Sequence, residues 1–328
     1  MRLHEDRNAF KVLIEDIHGR TGYRTDVIEK DYYVVLILSE LAQKQSEGLP
    51  AYFKGGTALY KALKSTNRFS EDIDISVDTR GCTNTQNNKR LENATKKYAS
   101  LVRDRSQGTT NRSEVIAVYT YDPVTTYDEN DSLQRFGKLK VEATSFTISE
   151  PVTTLEVAPL LYDFATDAQK EILKSTYGVK PFEVKTMTIE RIFVDKLFAA
   201  EAYVRKSNVS HRAFEAAKHI YDLAVLQNHP RILGLLDNEE MLAQLLKIRM
   251  TEEQNRLDGI PGVLPKDFTF FLDASGNNEV QSAYDIMQNQ YVFRSDDCIE
   301  YSQAMKALTN FQEELKNNRA WTECIIIE

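Results

Sequence analysis

Apolar positions recur at helical spacing from Leu3 to His18, and again from about Thr25 through Val34-Val35-Leu36-Ile37-Leu38. Gly48-Leu49-Pro50 stops the second run. The period then shortens. Ala51-Tyr52-Phe53 is a brief apolar run, Ala58 to Leu63 a short helical one, and Ile73-Asp74-Ile75-Ser76-Val77 alternates as a half-buried strand does. Lys89 to Arg105 reads as a basic helix. Further strands are predicted at Glu114 to Tyr121, Gly137 to Phe146 and Thr154 to Ala158. Beyond Tyr177-Gly178-Val179-Lys180-Pro181 the pattern turns helical, over Thr188 to Arg205, Ala213 to Gln227, Arg231 to Arg249, Ala283 to Asn289 and Ser302 to Asn317. These runs predict an α+β half over residues 1–180 and a helical half over 181–328.

Composition narrows the class. With 42% hydrophobic and 27% charged residues in 328, the chain has the usage of a globular protein long enough for a sizeable core. No apolar run approaches the roughly 20 residues that span a bilayer. Met1 to Arg7 lacks the apolar stretch of a signal peptide, so a cytoplasmic location is expected. Cys82, Cys298 and Cys324 are widely spaced and suit a reducing compartment. The five histidines show no zinc grouping. Walker A, Gly-x-Ser-x-Gly and His-Glu-x-x-His patterns are absent. A net charge of −8 argues against a uniformly basic surface but leaves room for local patches. Two candidates are Lys89 to Arg112, and the group Arg205, Lys206, Arg212 and Lys218.

The informative segment is Phe53-Lys54-Gly55-Gly56-Thr57-Ala58-Leu59, followed by Arg68-Phe69-Ser70-Glu71-Asp72-Ile73-Asp74. A strand that ends in two glycines and opens into a helix lets backbone approach a ligand closely and presents unpaired N–H groups suited to phosphate. Thr57 adds a hydroxyl or caps the helix. Asp72 and Asp74, two apart on a strand, point to one face. Two such carboxylates repel and call for a cation or a shared proton. Hard oxygen donors suit Mg²⁺. Alone, Gly-Gly is an ordinary turn and Asp-x-Asp a solvated strand end; the combination is what carries weight.

Those residues resemble the first motif of the AbiEii/AbiGii toxin family, a branch of the DNA polymerase β-type nucleotidyltransferases. Glu29-Lys30-Asp31-Tyr32-Tyr33 is similar to the segment upstream of that motif. The resemblance runs from about residue 25 to about residue 227. It implies a polymerase β-type core, a mixed sheet with flanking helices, as a catalytic domain over 1–180. A helical C-terminal domain over 181–328 would contribute Lys196 and Asp222. It implies transfer of a nucleoside monophosphate from an NTP to an acceptor hydroxyl, with two Mg²⁺ ions as cofactor. RNA such as tRNA is the expected acceptor and a cognate antitoxin the expected partner. Transfer to a protein or small molecule, or a non-catalytic nucleotide-binding module, stays open.

In such enzymes a third carboxylate comes from a neighbouring strand. Leu139-Lys140-Val141-Glu142-Ala143-Thr144 puts Lys140, Glu142 and Thr144 on one face, making Glu142 the candidate and Glu156 the second choice. An exposed Lys/Glu strand face would look the same. The resemblance assigns Asp72, Asp74 and Glu142 to metal and Gly55, Gly56, Thr57 and Ser70 to the nucleotide. Glu190 to Ala200 is similar to the family's Glu-Lys helix, with Lys196 as the triphosphate cation, although a lysine among Phe193, Leu197 and Ala200 also suits a core edge. Lys218-His219-Ile220-Tyr221-Asp222 departs from the family's Arg-Asp-x-x-Asp but keeps Asp222, for which an ion pair with Lys218 is the plain alternative.

Overall fold

A computed structural model of the chain describes residues 1–126, 135–205, 212–255, 259–270 and 277–324. The chain forms two compact units, Met1–Met187 and Thr188–Glu328.

In the first unit the helices Arg7–Thr21 (α1) and Thr25–Ser46 (α2) precede the strand Ala51–Lys54 (β1). The short helix Gly55–Lys61 (α3), strand Ile73–Val77 (β2) and helix Asn84–Thr95 (α4) follow. Strands Val102–Thr110 (β3), Glu114–Thr120 (β4), Lys138–Thr144 (β5) and Val152–Val157 (β6) come next. The helices Leu160–Asp163 (α5) and Asp167–Ser175 (α6) and the strand Phe182–Met187 (β7) complete the unit.

All strands join one sheet of order β3-β4-β5-β2-β1-β7-β6. β2 runs parallel to β5 and β1 parallel to β7, while the other neighbours are antiparallel, so the sheet is mixed. The fold class is α+β, as the residue pattern predicts. β5 keeps its period of two: Leu139, Val141 and Ala143 have no exposed surface, and Lys140 and Glu142 lie on the opposite, partly open face.

α2 is buried along nearly its whole first half, from Asp26 to Leu38. Three consecutive charged residues are buried within it, so each needs a partner. Glu29 accepts hydrogen bonds from the amides of Val124 and Thr125. Lys30 pairs with Glu71 and donates to the Arg135 carbonyl at 2.7 Å. Asp31 binds Lys61 Nζ at 2.6 Å, the Tyr60 hydroxyl at 2.9 Å and the Leu160 amide at 2.6 Å. The motif Glu29-Lys30-Asp31 thus ties three separate segments to one central helix.

Two expectations for the first unit need correction. The basic helix ends at Thr95 rather than Arg105, and residues 102–110 form the edge strand β3. Pairing with β4, interrupted by a bulge between Asp104 and Gly108, overrides local propensity there. Gly108 has φ +105°, and a Cβ on it would lie 2.4 Å from the Ile116 carbonyl oxygen. Most of β3 is exposed on both faces, so it carries no alternation to read. The second correction is β7, unread because it follows Pro181 directly; it pairs with β1 through Phe53 and Thr186.

The second unit is helical. It contains Ile189–Val204 (α7), Ala213–Leu226 (α8), Pro230–Asp237 (α9), Glu239–Asn255 (α10), Asn278–Tyr291 (α11), Tyr301–Leu315 (α12) and Arg319–Thr322 (α13). α8 packs against α7, α11 and α12. The run read as one helix from Arg231 to Arg249 breaks at Asn238, whose side chain accepts from the Met241 amide at 3.0 Å.

Candidate active site

β1 and β2 pair so that Lys54 lies opposite Asp74. The chain then turns into α3 through Gly55, whose φ of +79° belongs to glycine. A Cβ there would sit 2.2 Å from Asp74 Oδ2, so any other residue would push the carboxylate aside. A Cβ on Gly56 would lie 2.9 Å from Ser70 Oγ and 3.1 Å from an Arg68 guanidinium nitrogen. The glycine pair therefore lets the segment from Arg68 to Asp74 lie directly against the start of α3. Thr57 is fully buried and its hydroxyl donates to the Asp72 carbonyl, which positions Asp72 from behind.

The parallel register of β2 and β5 sets Asp74 beside Glu142. Asp72 Oδ1 accepts from Arg135 NH1 at 2.7 Å. Lys140 Nζ lies 3.3 Å from Asp72 Oδ2 and 3.0 Å from Glu142 Oε2. Burial, then the Glu142 carboxylate and to a lesser degree that of Asp72, push the Asp74 carboxyl up to about 7. Lys54 donates to the Thr144 and Thr147 hydroxyls at 3.0 and 3.3 Å, bridging β1 to the end of β5. Glu71, next to Asp72, is buried against Lys30, whose ammonium is pulled down by burial.

The structure thus brings Asp72, Asp74 and Glu142 together. Glu156 is exposed on β6, three strands away from β2, and does not join them. Among the described residues no group of three or more His, Cys, Asp or Glu side chains is arranged to hold a metal ion. The acidic groups are instead drawn onto Lys140 and Arg135. Their chemistry still suits a divalent cation, since all are hard oxygen donors and the raised Asp74 carboxyl marks negative charge that a cation would relieve. Of the basic groups here, Lys140 was visible in the alternation of β5. Arg135 carries no local signal; only the fold sets it against Asp72.

The second unit holds the other sequence candidates. Lys196 Nζ and Asp222 Oδ2 are 2.6 Å apart and both side chains are buried. Two motifs 26 positions apart in the chain therefore meet across α7 and α8. Lys218 pairs with Glu215 at 2.9 Å. Around Lys196 the interior is ionic: Arg191 binds Glu252 through both carboxylate oxygens at 2.6 Å and Asp195 at 3.1 Å, and Arg249 binds Glu253. Arg205 pairs with Glu201 at 2.6 Å, and Lys206 lies outside the described residues. No helix among the described residues is long and apolar enough to cross a membrane.

Comparison with known proteins gives this arrangement its context. No curated protein matches the chain by sequence. Among solved structures, the chain is similar to MenT4, a nucleotidyltransferase toxin from Mycobacterium tuberculosis H37Rv. That likeness has 14% identity and a TM-score of 0.49, over 94% of this chain and 97% of that one. It is also similar to JHP933 from Helicobacter pylori, with 16% identity and a TM-score of 0.38, over 90% and 97% of the two chains. The sequence family described as nucleotidyl transferase AbiEii toxin, type IV TA system, matches residues 36–314. That span runs well past residue 227, where the resemblance read from the motifs ends. The chain belongs to the AbiEii family of nucleotidyltransferase toxins of type IV toxin–antitoxin systems.

Proposed function

We propose that this nucleotidyltransferase moves a nucleoside monophosphate from an NTP to a hydroxyl of an RNA acceptor, with release of pyrophosphate, and that β2, β5 and the start of α3 form its active site. The observation that carries the reading is the packing of Gly55 on Asp74, beside Glu142 on the adjacent strand. Asp72, Asp74 and Glu142 are the residues that would hold divalent magnesium. When bound, the metal supplies positive charge to the triphosphate and the leaving pyrophosphate. Gly55 and Gly56 let Asp74 and Ser70 close onto the start of α3, where the backbone amides and the Ser70 hydroxyl would donate to the phosphates. Glu142 accepts the proton of the acceptor hydroxyl. Lys196, held by Asp222, is assigned to the triphosphate on the family motif. The catalytic domain corresponds to the unit Met1–Met187 and the helical domain to Thr188–Glu328. The toxin acts in the cytoplasm and is countered by a cognate antitoxin.

An RNA acceptor must approach an acidic protein, so it needs local positive charge. Support for that comes from Arg103 and Arg105 on the edge strand β3, with Arg105 and Lys97 exposed. The test is pyrophosphate release with RNA, protein and small-molecule acceptors, with RNA affinity measured against salt. RNA alone should support turnover. Log affinity should fall with log salt by roughly 0.7 per single-strand phosphate neutralised. Replacing Lys96, Lys97, Arg103 and Arg105 by Ala should flatten that slope and leave NTP affinity unchanged. Acceptor use insensitive to both would refute an RNA acceptor.

A further inference from the structure

Lys140 stands where a cation would be expected. It projects from the same face of β5 as Glu142, and its ammonium lies between Glu142 Oε2 and Asp72 Oδ2, at 3.0 and 3.3 Å. Its backbone is held on both sides, paired with Val118 of β4 and in the strand that registers with β2. Its side chain is 21% exposed, so the stem is fixed by packing while the head faces the carboxylates. Arg135 holds the other oxygen of Asp72 at 2.7 Å. Three carboxylates thus face two fixed monovalent cations. One negative charge is left, which a single divalent ion more than offsets. A second would have to share Asp72 and Glu142 with an ammonium already in contact with both, and like charges at that distance repel.

We infer that Lys140 replaces the second metal ion of this active site, so that the chain loads one divalent cation, held by Asp74, rather than two. Lys140 is a positioning residue here: it holds Asp72 and Glu142 together and fills the gap between them. This rests on the reading of Asp72, Asp74 and Glu142 as the metal-holding carboxylates.

The test is a count of Mn²⁺ per chain by equilibrium dialysis and electron paramagnetic resonance, with a mixture of non-hydrolysable NTP analogues. The full chain is compared with Lys140→Met and Lys140→Gln. Wild type should bind one ion, and both variants two. The metal-free variants should melt at a lower temperature than wild type and gain more from Mn²⁺, because their carboxylates have lost an internal counter-ion. Two ions in wild type, or equal counts in wild type and variants, would overturn the inference. The wild-type count decides the matter even if neither variant folds. Asp74→Asn separates this from the underlying reading: if it binds Mn²⁺ as wild type does, the site itself is misassigned, whatever Lys140 does.

Discussion

Two clusters of the same side-chain types sit in the two units of this molecule under opposite conditions. In the first unit Asp72, Asp74 and Glu142 meet Lys140 and Arg135 on a strand face where the ion-paired side chains are 21–36% exposed. In the second unit Arg191, Glu252 and Asp222 have no exposed side-chain surface, and Lys196 and Arg249 little. There the partners are matched closely, with one guanidinium nitrogen of Arg191 donating to both oxygens of Glu252. On the sheet, burial first and then the Glu142 and Asp72 carboxylates push the Asp74 carboxyl up to about 7, while the Arg135 and Lys140 ion pairs go to Asp72 and Glu142. A buried network with every charge paired serves the fold. A half-open cluster with negative charge to spare can take up a ligand cation.

The sharpest way to break this contrast is to remove a charged side chain from each cluster. Asp72→Asn and Asp74→Asn should lower turnover by about 10³-fold, the loss of several kcal/mol of charge stabilisation in the transition state. The metal-free melting temperature of Asp74→Asn should hold or rise as repulsion is relieved, whereas Asp72→Asn gives up its pairs with Arg135 and Lys140 and should not rise. Unchanged turnover in either variant would remove that residue from the site.

Lys196→Ala should do the reverse, costing about 3–5 kcal/mol of stability by removing the ammonium that faces the buried Asp222 carboxylate. The double variant Lys196→Met with Asp222→Leu sharpens the point. It should regain most of the melting temperature while NTP affinity, measured calorimetrically, stays lost. Recovery of both would make the pair purely structural.

Glu142→Gln keeps shape and removes charge. It should reduce kcat by about 10²-fold, the range for loss of a positioned proton acceptor, with little change in KM for NTP. Near-normal kcat would leave Glu142 only as the partner of Lys140.

The smallest effect lies away from both clusters. Lys44 donates to the Asn93 carbonyl at 2.9 Å and stands over the Tyr98 ring, and burial lowers its ammonium to about 8 from 10.5. Between those values the unfolded chain binds a proton that the folded chain has released, so this group adds stability as pH rises. Lys44→Met should remove that increment; urea midpoints at pH 8 and pH 10 that shift in parallel for both chains would contradict it.

What the residues determined alone were features of short range. The turn at Gly55-Gly56, the shared face of Asp72 and Asp74, the alternation that puts Lys140 beside Glu142, and the helices around Lys196 and Asp222 all follow from periods of two or 3.6 and from the steric freedom of glycine. The tertiary structure decided what long-range pairing controls. The register of β2 against β5 selects Glu142 over Glu156, and pairing with β4 makes a strand of residues 102–110 despite their polar pattern. Only the packing of α7 on α8 turns Lys196 and Asp222 into a buried pair, and only the fold sets Arg135 on Asp72. A side chain's face is written in its neighbours along the chain, whereas its partner across a sheet or between helices depends on which segments bury their apolar surfaces together.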